Sequence, residues 1–505
     1  MEQQWTETLE QLRALIKKIK GYYEAVGLMG WDLRTGAPSK AAATRAETLG
    51  LLATEAFKLG TSEEMGGYLA VLNTPEVMEQ LDDINRRLVL DVQEQYDRSV
   101  KIPTELYQAY TVLTAHSETL WVEAKNNSDF ASFAPTLTEI VEKTQQMIDY
   151  WGPRASRYDT LLHMYEPDLT SEKLDEVFGR LKARLVPLVE AIQASPNKPD
   201  ASFLGEIFEK EQQEKMGVFL LEQIGFDFEA GRLDETEHPF CTTLNEKDIR
   251  ITTHYHLHNM TSALFSSLHE GGHALYEQNV DPALYGTTLA SGTSMGIHES
   301  QSRFWENVVG RSRGFWNHYY AELQQHFPRQ LGEVSVEQFY RAVNKVQNSL
   351  IRTEADELTY NLHIIIRYEI EKQLFNENLS VSELPRLWNE KYEQYLGVVP
   401  PNDASGVLQD VHWPAGLFGY FPSYSLGNMY AAQITHTLKQ ELPNFDELVA
   451  SGDLSQIRNW LTDKIYRYGK SRKPSELILA ITGEELNPDY LADYFENKYK
   501  EIYSL

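Results

Sequence analysis

A single cysteine, Cys241, stands among 505 residues, so no internal disulfide can form. That excludes a stapled secreted scaffold and points to a reducing compartment. Basic residues are also scarce: 46 Lys and Arg face 74 Asp and Glu, for a net charge of −28. A phosphate-binding surface needs a basic stripe, so nucleic acid is not an expected partner. No window holds the roughly 18–20 apolar residues of a spanning helix, and no membrane association is expected. Residues 1–10 are polar and acidic, without the basic and apolar regions of a secretory signal, which makes the cytoplasm the expected location. Low-complexity tracts, internal repeats and Gly/Pro-rich linkers are missing as well. Length alone allows about three domains. The unbroken patterning favours one domain over 1–505, with a mainly helical subdomain 1–235 and a catalytic subdomain 236–505.

What is present is apolar material in helical order. Hydrophobic residues make up 42% of the chain and include 20 Phe, 9 Trp and 28 Tyr, ample for a large core. Trp5, Leu9, Leu12, Ile16, Ile19, Tyr23 and Val26 recur at steps of three or four, which predicts an amphipathic helix over 5–28. The same spacing predicts helices over Met78–Ser99, Leu137–Trp151 and Leu174–Gln193. Pro103, Pro135, Pro153, Pro167 and Pro196 read as the breaks between long antiparallel helices. One stretch, Lys247–Asn259, alternates with period 2 and predicts a small hairpin or edge strand, a candidate floor for an extended ligand.

Immediately after that strand, Ser266–Gln278 reads SSLHEGGHALYEQ. His269 and His273 are four residues apart, so on a helix two imidazoles converge on one zinc ion. Glu270 between them is placed to take a proton from a water at the open coordination position. A His-Glu-x-x-His window arises by chance roughly 0.06 times in a chain of this composition, so the surrounding helical spacing is needed to support it. Gly271 and Gly272 each cost up to about 1 kcal/mol in a helix, which makes sense where another backbone or the substrate comes close. Two incidental histidines on a core helix are the plain alternative. The third ligand is read as Glu299, on a second helix. Glu277 and Glu306 are rivals, although Glu277 is better placed to orient a ligand histidine.

These residues belong to a longer ordered set. His238-Pro239-Phe240, Asp248-Ile249-Arg250-Ile251-Thr252, His269–His273, His298-Glu299-Ser300-Gln301, Ile351–Asp356 (IRTEAD) and Gly406–Trp413 (GVLQDVHW) match, in order, six motifs of the carboxypeptidase Taq family. Gly30-Trp31-Asp32, Pro38 and Arg45 also look like that family's pattern, so the chain resembles it throughout. The resemblance implies an all-α, clam-shaped fold with a deep cleft, similar to neurolysin and angiotensin-converting enzyme, and a small hairpin or sheet near the metal site. It further implies a homodimer that removes single residues from peptide carboxyl ends with broad specificity, using zinc, with cobalt as a possible substitute.

An enzyme of that kind must grip a terminal carboxylate, which an arginine fork does with two charge-assisted hydrogen bonds. Arg352 is the first candidate, on a helix expected over Gln347–Phe375, unless it pairs with Glu354 or Asp356. Arg250 is the second, unless it pairs with Asp248. In the neurolysin-like fold a histidine and tyrosines of a Gly-rich loop face the metal. The loop after GVLQDVHW supplies His412, Tyr420 and Tyr424, with His412 and Tyr420 preferred as oxyanion donors and Tyr424 as a substrate contact. His238 is a candidate substrate contact or a packing residue. His254, His256 and His258 form a conceivable second metal site, though a hydrogen-bonded edge is the commoner outcome. Asp356 and Asp410 are candidate acceptors for the ligand histidines' free N–H groups, with ordinary helix and loop hydrogen bonds as the competing account. Cys241 has no base beside it in sequence, which argues against a cysteine nucleophile. The leading expectation is a zinc carboxypeptidase acting on peptides with a free carboxyl terminus. Its competitors are an endo- or oligopeptidase of the same fold and a non-catalytic acidic helical protein that binds peptides.

Overall fold

In a computed structural model that describes residues 2–505, with side chains from Trp5 onward, the amphipathic runs fold as helices. Glu2–Thr35 contains the first stripe, and Phe130–Trp151 and Ser171–Ala194 contain the third and fourth. The second begins at Asp83 rather than Met78, because the Asp82 side chain accepts the Asn85 amide and caps Asp83–Val100 there. Pro103, Pro153, Pro167 and Pro196 lie outside helices. Pro135 does not mark a break: it sits inside Phe130–Trp151, where burial of Phe130, Phe133 and Leu137 outweighs one lost backbone bond.

The strand prediction holds in part. β1 (Gly231–Glu235), β2 (Cys241–Asn245) and β3 (Asp248–Thr253) form one sheet in the order β1-β3-β2, with β1 parallel and β2 antiparallel to β3. β3 is therefore central and not an edge strand. It also stops at Thr253. Beyond it the chain turns, His256 pairs with Asn259, and the Asn259 side chain caps the next helix at Ser262. Ile249 and Ile251 are fully buried, and Thr253 Oγ1 lies 2.6 Å from Ser266 Oγ on that helix. The sheet is thus fastened directly to the helix Met260–Gln278, which carries His269, Glu270 and His273.

Helix accounts for 69% of the chain and strand for 4%. The largest hydrophobic core draws on residues from Ala124 to Tyr503, and a smaller one gathers Leu12, Ile16, Leu69, Leu88 and Leu284. Among the described residues no helix is long and apolar enough to cross a membrane.

The two glycines of the motif explain how Met260–Gln278 packs. A Cβ on Gly272 would stand 2.5 Å from the Gln301 carbonyl oxygen and 2.7 Å from Ser302 Cα. Those atoms belong to the helix Met295–Arg303, which carries Glu299. A Cβ on Gly271 would stand 2.6 Å from Leu221 Cδ2 on Lys210–Ile224. The third helix of the layer, Pro422–Glu441, presses Gly427 against Glu299 in the same way. Gly272→Ala is expected to lose about 1–3 kcal/mol in urea unfolding, since the obstructing atoms are backbone. Gly179→Ala is the control: its helix site meets nothing within 4 Å, and the substitution should gain up to about 1 kcal/mol.

Candidate metal centre

His269 and His273 leave the same face of Met260–Gln278, and Glu299 approaches from Met295–Arg303, itself capped by Ser294 accepting the Ile297 amide. The three ligand atoms lie within 4.8 Å of one another. Glu299 Oε2 is 3.7 Å from His269 Nε2 and 3.4 Å from His273 Nε2. Both imidazoles are engaged at their other nitrogen. His269 Nδ1 is 2.9 Å from Glu306 Oε2. His273 Nδ1 is 2.6 Å from His298 Nδ1, and His298 Nε2 is 2.9 Å from Glu277 Oε1. One tautomer set satisfies this chain: His273 donates from Nδ1, His298 accepts there and donates from Nε2 to Glu277. The two Nε2 lone pairs and one carboxylate oxygen then converge. That donor set fits a divalent ion of borderline softness.

The electrostatics agree. Burial pushes the His273 imidazole down to about 4, into the neutral form that binds metal. Burial opposes charge on His269 too, but Glu299 and Glu306 outweigh it and raise its pKa; the carboxylates that attract a proton there attract a cation equally. Arg303 donates from Nε to Glu299 Oε1 at 2.7 Å and from Nη1 to Glu306 Oε2 at 3.2 Å. Against the cost of burial, Arg303 and His269 hold both carboxyls low, that of Glu306 at about 2. Glu270 has no such arginine, and burial pushes its carboxyl up to about 7 against the pull of His269.

Two expectations are corrected here. Glu306 is not a rival ligand but the acceptor for His269, and Asp356 and Asp410 do not serve the histidines. Asp356 accepts from the amides of Gln347, Leu358 and Thr359 and shapes a turn. Asp410 holds two guanidiniums: Arg352 Nε at 2.9 Å and Nη2 at 2.8 Å, and Arg367 Nε at 2.7 Å and Nη2 at 2.6 Å. Arg352 is likewise not on a continuous helix. It opens a short turn, Arg352–Glu354, before the helix Tyr360–Asn376, and its partner is Asp410 rather than Glu354 or Asp356. The sequence reading missed His298 and Arg303 as working residues; Arg303 lies four after Glu299 and three before Glu306, a spacing that could have shown it.

The loop residues gather around Arg352. Its guanidinium carbon lies 5.1 Å from the Tyr424 ring, and Nη1 donates to Tyr360 at 3.2 Å. Tyr360 in turn stacks under Arg303 at 4.5 Å, which joins this group to the metal ligands. His412 Nε2 is 3.1 Å from Tyr424 Oη, and the Tyr420 ring is 5.2 Å from that of Tyr424. Burial pushes His412 down to about 3, so its ring is neutral, and its Nδ1 is buried without a partner. Burial and the Glu299 carboxylate push the Tyr420 phenol up to about 12.

The family model for the carboxypeptidase Taq (M32) metallopeptidases matches residues 11–499. The chain belongs to this family. It is 48% identical to carboxypeptidase 1 of Bacillus subtilis over 97% of this chain and 98% of that one. With thermostable carboxypeptidase 1 of Thermus thermophilus it shares 39% identity over 95% of this chain and 96% of that one. The solved M32 carboxypeptidase of Deinococcus radiodurans R1 superposes with a TM-score of 0.95 at 38% identity, over 99% of this chain and all of that one. The protein is a peptidase hydrolase, and its family is metal-dependent.

The remaining candidates of the peptidase lie elsewhere. Arg250 donates from Nε and Nη2 to the two oxygens of Asp248, both at 2.7 Å, the pairing weighed from sequence. It lines a cleft of ≈ 700 Å³ with Trp31, Asp32, Arg45, Arg232 and Asp234. His238 is exposed between β1 and β2, and Phe240 packs edge-on against Trp31 at 5.5 Å. His254 and His258 bond the carbonyls of Thr236 and Gly205 through Nδ1, and no second metal cluster is found among the described residues. Burial, with Glu270 and Glu277, pushes the Cys241 thiol up and keeps it un-ionised. Chelator competition should show His269→Ala losing metal retention and Glu306→Gln losing about 10–100-fold in affinity with the fold intact. Glu270→Gln should retain the metal.

Proposed function

We propose that the protein is a zinc carboxypeptidase that releases single residues from the free carboxyl ends of peptides with broad specificity. The observation that carries this is the convergence of His269, His273 and Glu299 beside the buried, arginine-free Glu270. Zinc is the ion of this reading, with cobalt as a substitute, and the reading includes a cytoplasmic homodimer.

An ion in this site supplies a Lewis acid for the attacking water and the scissile carbonyl. Glu270, buried and without an arginine partner, takes a proton from that water and delivers it to the leaving amine. His412, accepting from Tyr424 at Nε2, carries its proton on Nδ1, and this otherwise unpartnered donor with Tyr420 stabilises the oxyanion. Arg352 binds the terminal carboxylate. Two guanidiniums, those of Arg352 and Arg367, share the single carboxylate of Asp410, which leaves a surplus positive charge for a substrate anion. Arg352 rather than Arg250 is the clamp, since Arg352 packs beside Tyr424 and bonds Tyr360, which Arg303 joins to Glu299, whereas Arg250 lies on the sheet beside Trp31.

The test compares a blocked tripeptide bearing a free carboxyl terminus with its amidated twin, each with metal-loaded and chelated enzyme. Metal-dependent release of one residue from the acid alone is expected. Cleavage of both peptides would replace the carboxyl clamp with endo- or oligopeptidase action, and cleavage of neither would favour the peptide-binding alternative. Glu270→Gln should cut kcat by about 10²–10⁴. Arg352→Met should raise KM for the acid by about 10²-fold or more.

A further inference from the structure

A carboxylate outside the metal centre gathers the backbone on which His412 and Tyr420 ride. Glu371, on the helix Tyr360–Asn376, is fully buried and forms no ion pair among the described residues. Its Oε1 accepts from Trp413 Nε1 at 2.9 Å, and its Oε2 accepts from the Gly419 amide at 2.9 Å and from Tyr158 Oη at 2.9 Å. Trp413 directly follows His412, and Gly419 directly precedes Tyr420. The two donors are thus the inner neighbours of the two loop side chains. Between them the loop also closes on itself through the Leu417 amide and the His412 carbonyl, 2.8 Å apart. Its outer carbonyls rest on the helix Thr104–Asn127, Pro414 on Ser117 and Gly416 on Tyr110, so that helix receives acceptors while Glu371 receives donors. Gly419 is held against the backbone of Leu161, where a Cβ would come within 2.7 Å of the carbonyl carbon, and its φ of +85° suits glycine.

We propose that Glu371 is a positioning residue for peptide hydrolysis, a buried clamp that fixes the separation of His412 and Tyr420 over the reacting carbonyl. The inference rests on the reading of the 412–420 loop given under Proposed function. Its chemistry is specific to a carboxylate. The Trp413 and Gly419 N–H groups can only donate, so an acid proton or an amide N–H turned toward either meets another donor; burial raises the Glu371 carboxyl to about 7 against the downward pull of these bonds. In Glu371→Gln the tyrosine hydroxyl can rotate to accept, but in either amide orientation Trp413 or Gly419 loses its acceptor. One end of the loop is released, and the donors to the oxyanion move while the metal ligands stay.

Steady-state kinetics on the blocked tripeptide test this with five variants. Glu371→Gln and Trp413→Phe are each expected to lower kcat by about 10- to 100-fold, with KM and metal content within about threefold of wild type. Tyr158→Phe removes the one donor outside the loop and should keep kcat within about twofold. Glu371→Gln and Trp413→Phe combined should be no worse than about the more damaging single change. A Tyr158→Phe loss equal to that of Glu371→Gln would reduce Glu371 to a general core contact and overturn the clamp. Normal kcat in both Glu371→Gln and Trp413→Phe would overturn it too, and if Glu371→Gln fails to fold, Trp413→Phe and Tyr158→Phe still decide. His412→Gln separates the two readings: a normal kcat there would remove the loop from catalysis, whereas a loss there beside an unaffected Glu371→Gln would remove only the clamp.

Discussion

The metal centre depends on a contact between two backbones. Helix geometry alone places His269 and His273 one turn apart, but the third ligand must come from another element at a fixed distance. That distance is set where Gly272 lies against Gln301 and Ser302, two and three residues from Glu299. Any side chain at position 272 holds the helices apart, and the carboxylate oxygen leaves the reach of the two Nε2 atoms. A helix gives up about 1 kcal/mol per glycine relative to alanine, and here the concession supplies the closeness that coordination needs. Gly427 repeats the device on the other side of Glu299, so the ligand helix is fixed from both faces.

Within that fixed frame, charge sorts the carboxyls into roles. Glu270, Glu299 and Glu306 are all buried, and burial alone would raise every one of them. Arg303 reaches Glu299 and Glu306 but not Glu270. The first two are therefore held ionised, while burial raises the carboxyl of the third, the separation that the proposed roles of ligand and proton carrier call for. Neighbouring acids with pKa values pushed apart are how a single site supplies both a permanent charge and a proton carrier.

The metal motif, the second helix with Glu299 and the helical class were legible because each rests on local spacing. His269 and His273 need only a four-residue interval, and the stripe from Leu9 to Val26 needs only period 3.6. The features that stayed hidden depend on tertiary context. Glu306 lies in a π-helical turn, Phe304–Val309, directly after Met295–Arg303, and its contact with His269 crosses between two helices, which no spacing within one helix shows. Pro135 stays inside a helix because its apolar neighbours are buried, a fact that the proline itself does not announce. Asp410 reads as a free acceptor from its motif, yet Arg352 and Arg367 converge on it from 58 and 43 residues away. The helix expected over Gln347–Phe375 breaks because Asp356 accepts three backbone amides, an alternative to helical bonding open to any aspartate.

The two halves of the site are therefore built on different physics. The ligand half is fixed by van der Waals contact between backbones, which has a steep repulsive wall and no second arrangement. The substrate half, Arg352 with the 412–420 loop, is fixed by carboxylates that receive N–H donors: Asp410 for the guanidiniums, Glu371 for the loop. Such contacts are strong only while water is excluded, because each donor lost in a buried place carries its full desolvation cost. A loop held this way has few intermediate positions: it is seated with its donors satisfied, or it is away and solvated. Under the proposed function, seating of the loop and exclusion of water would then be one event, while His269, His273 and Glu299 keep their places.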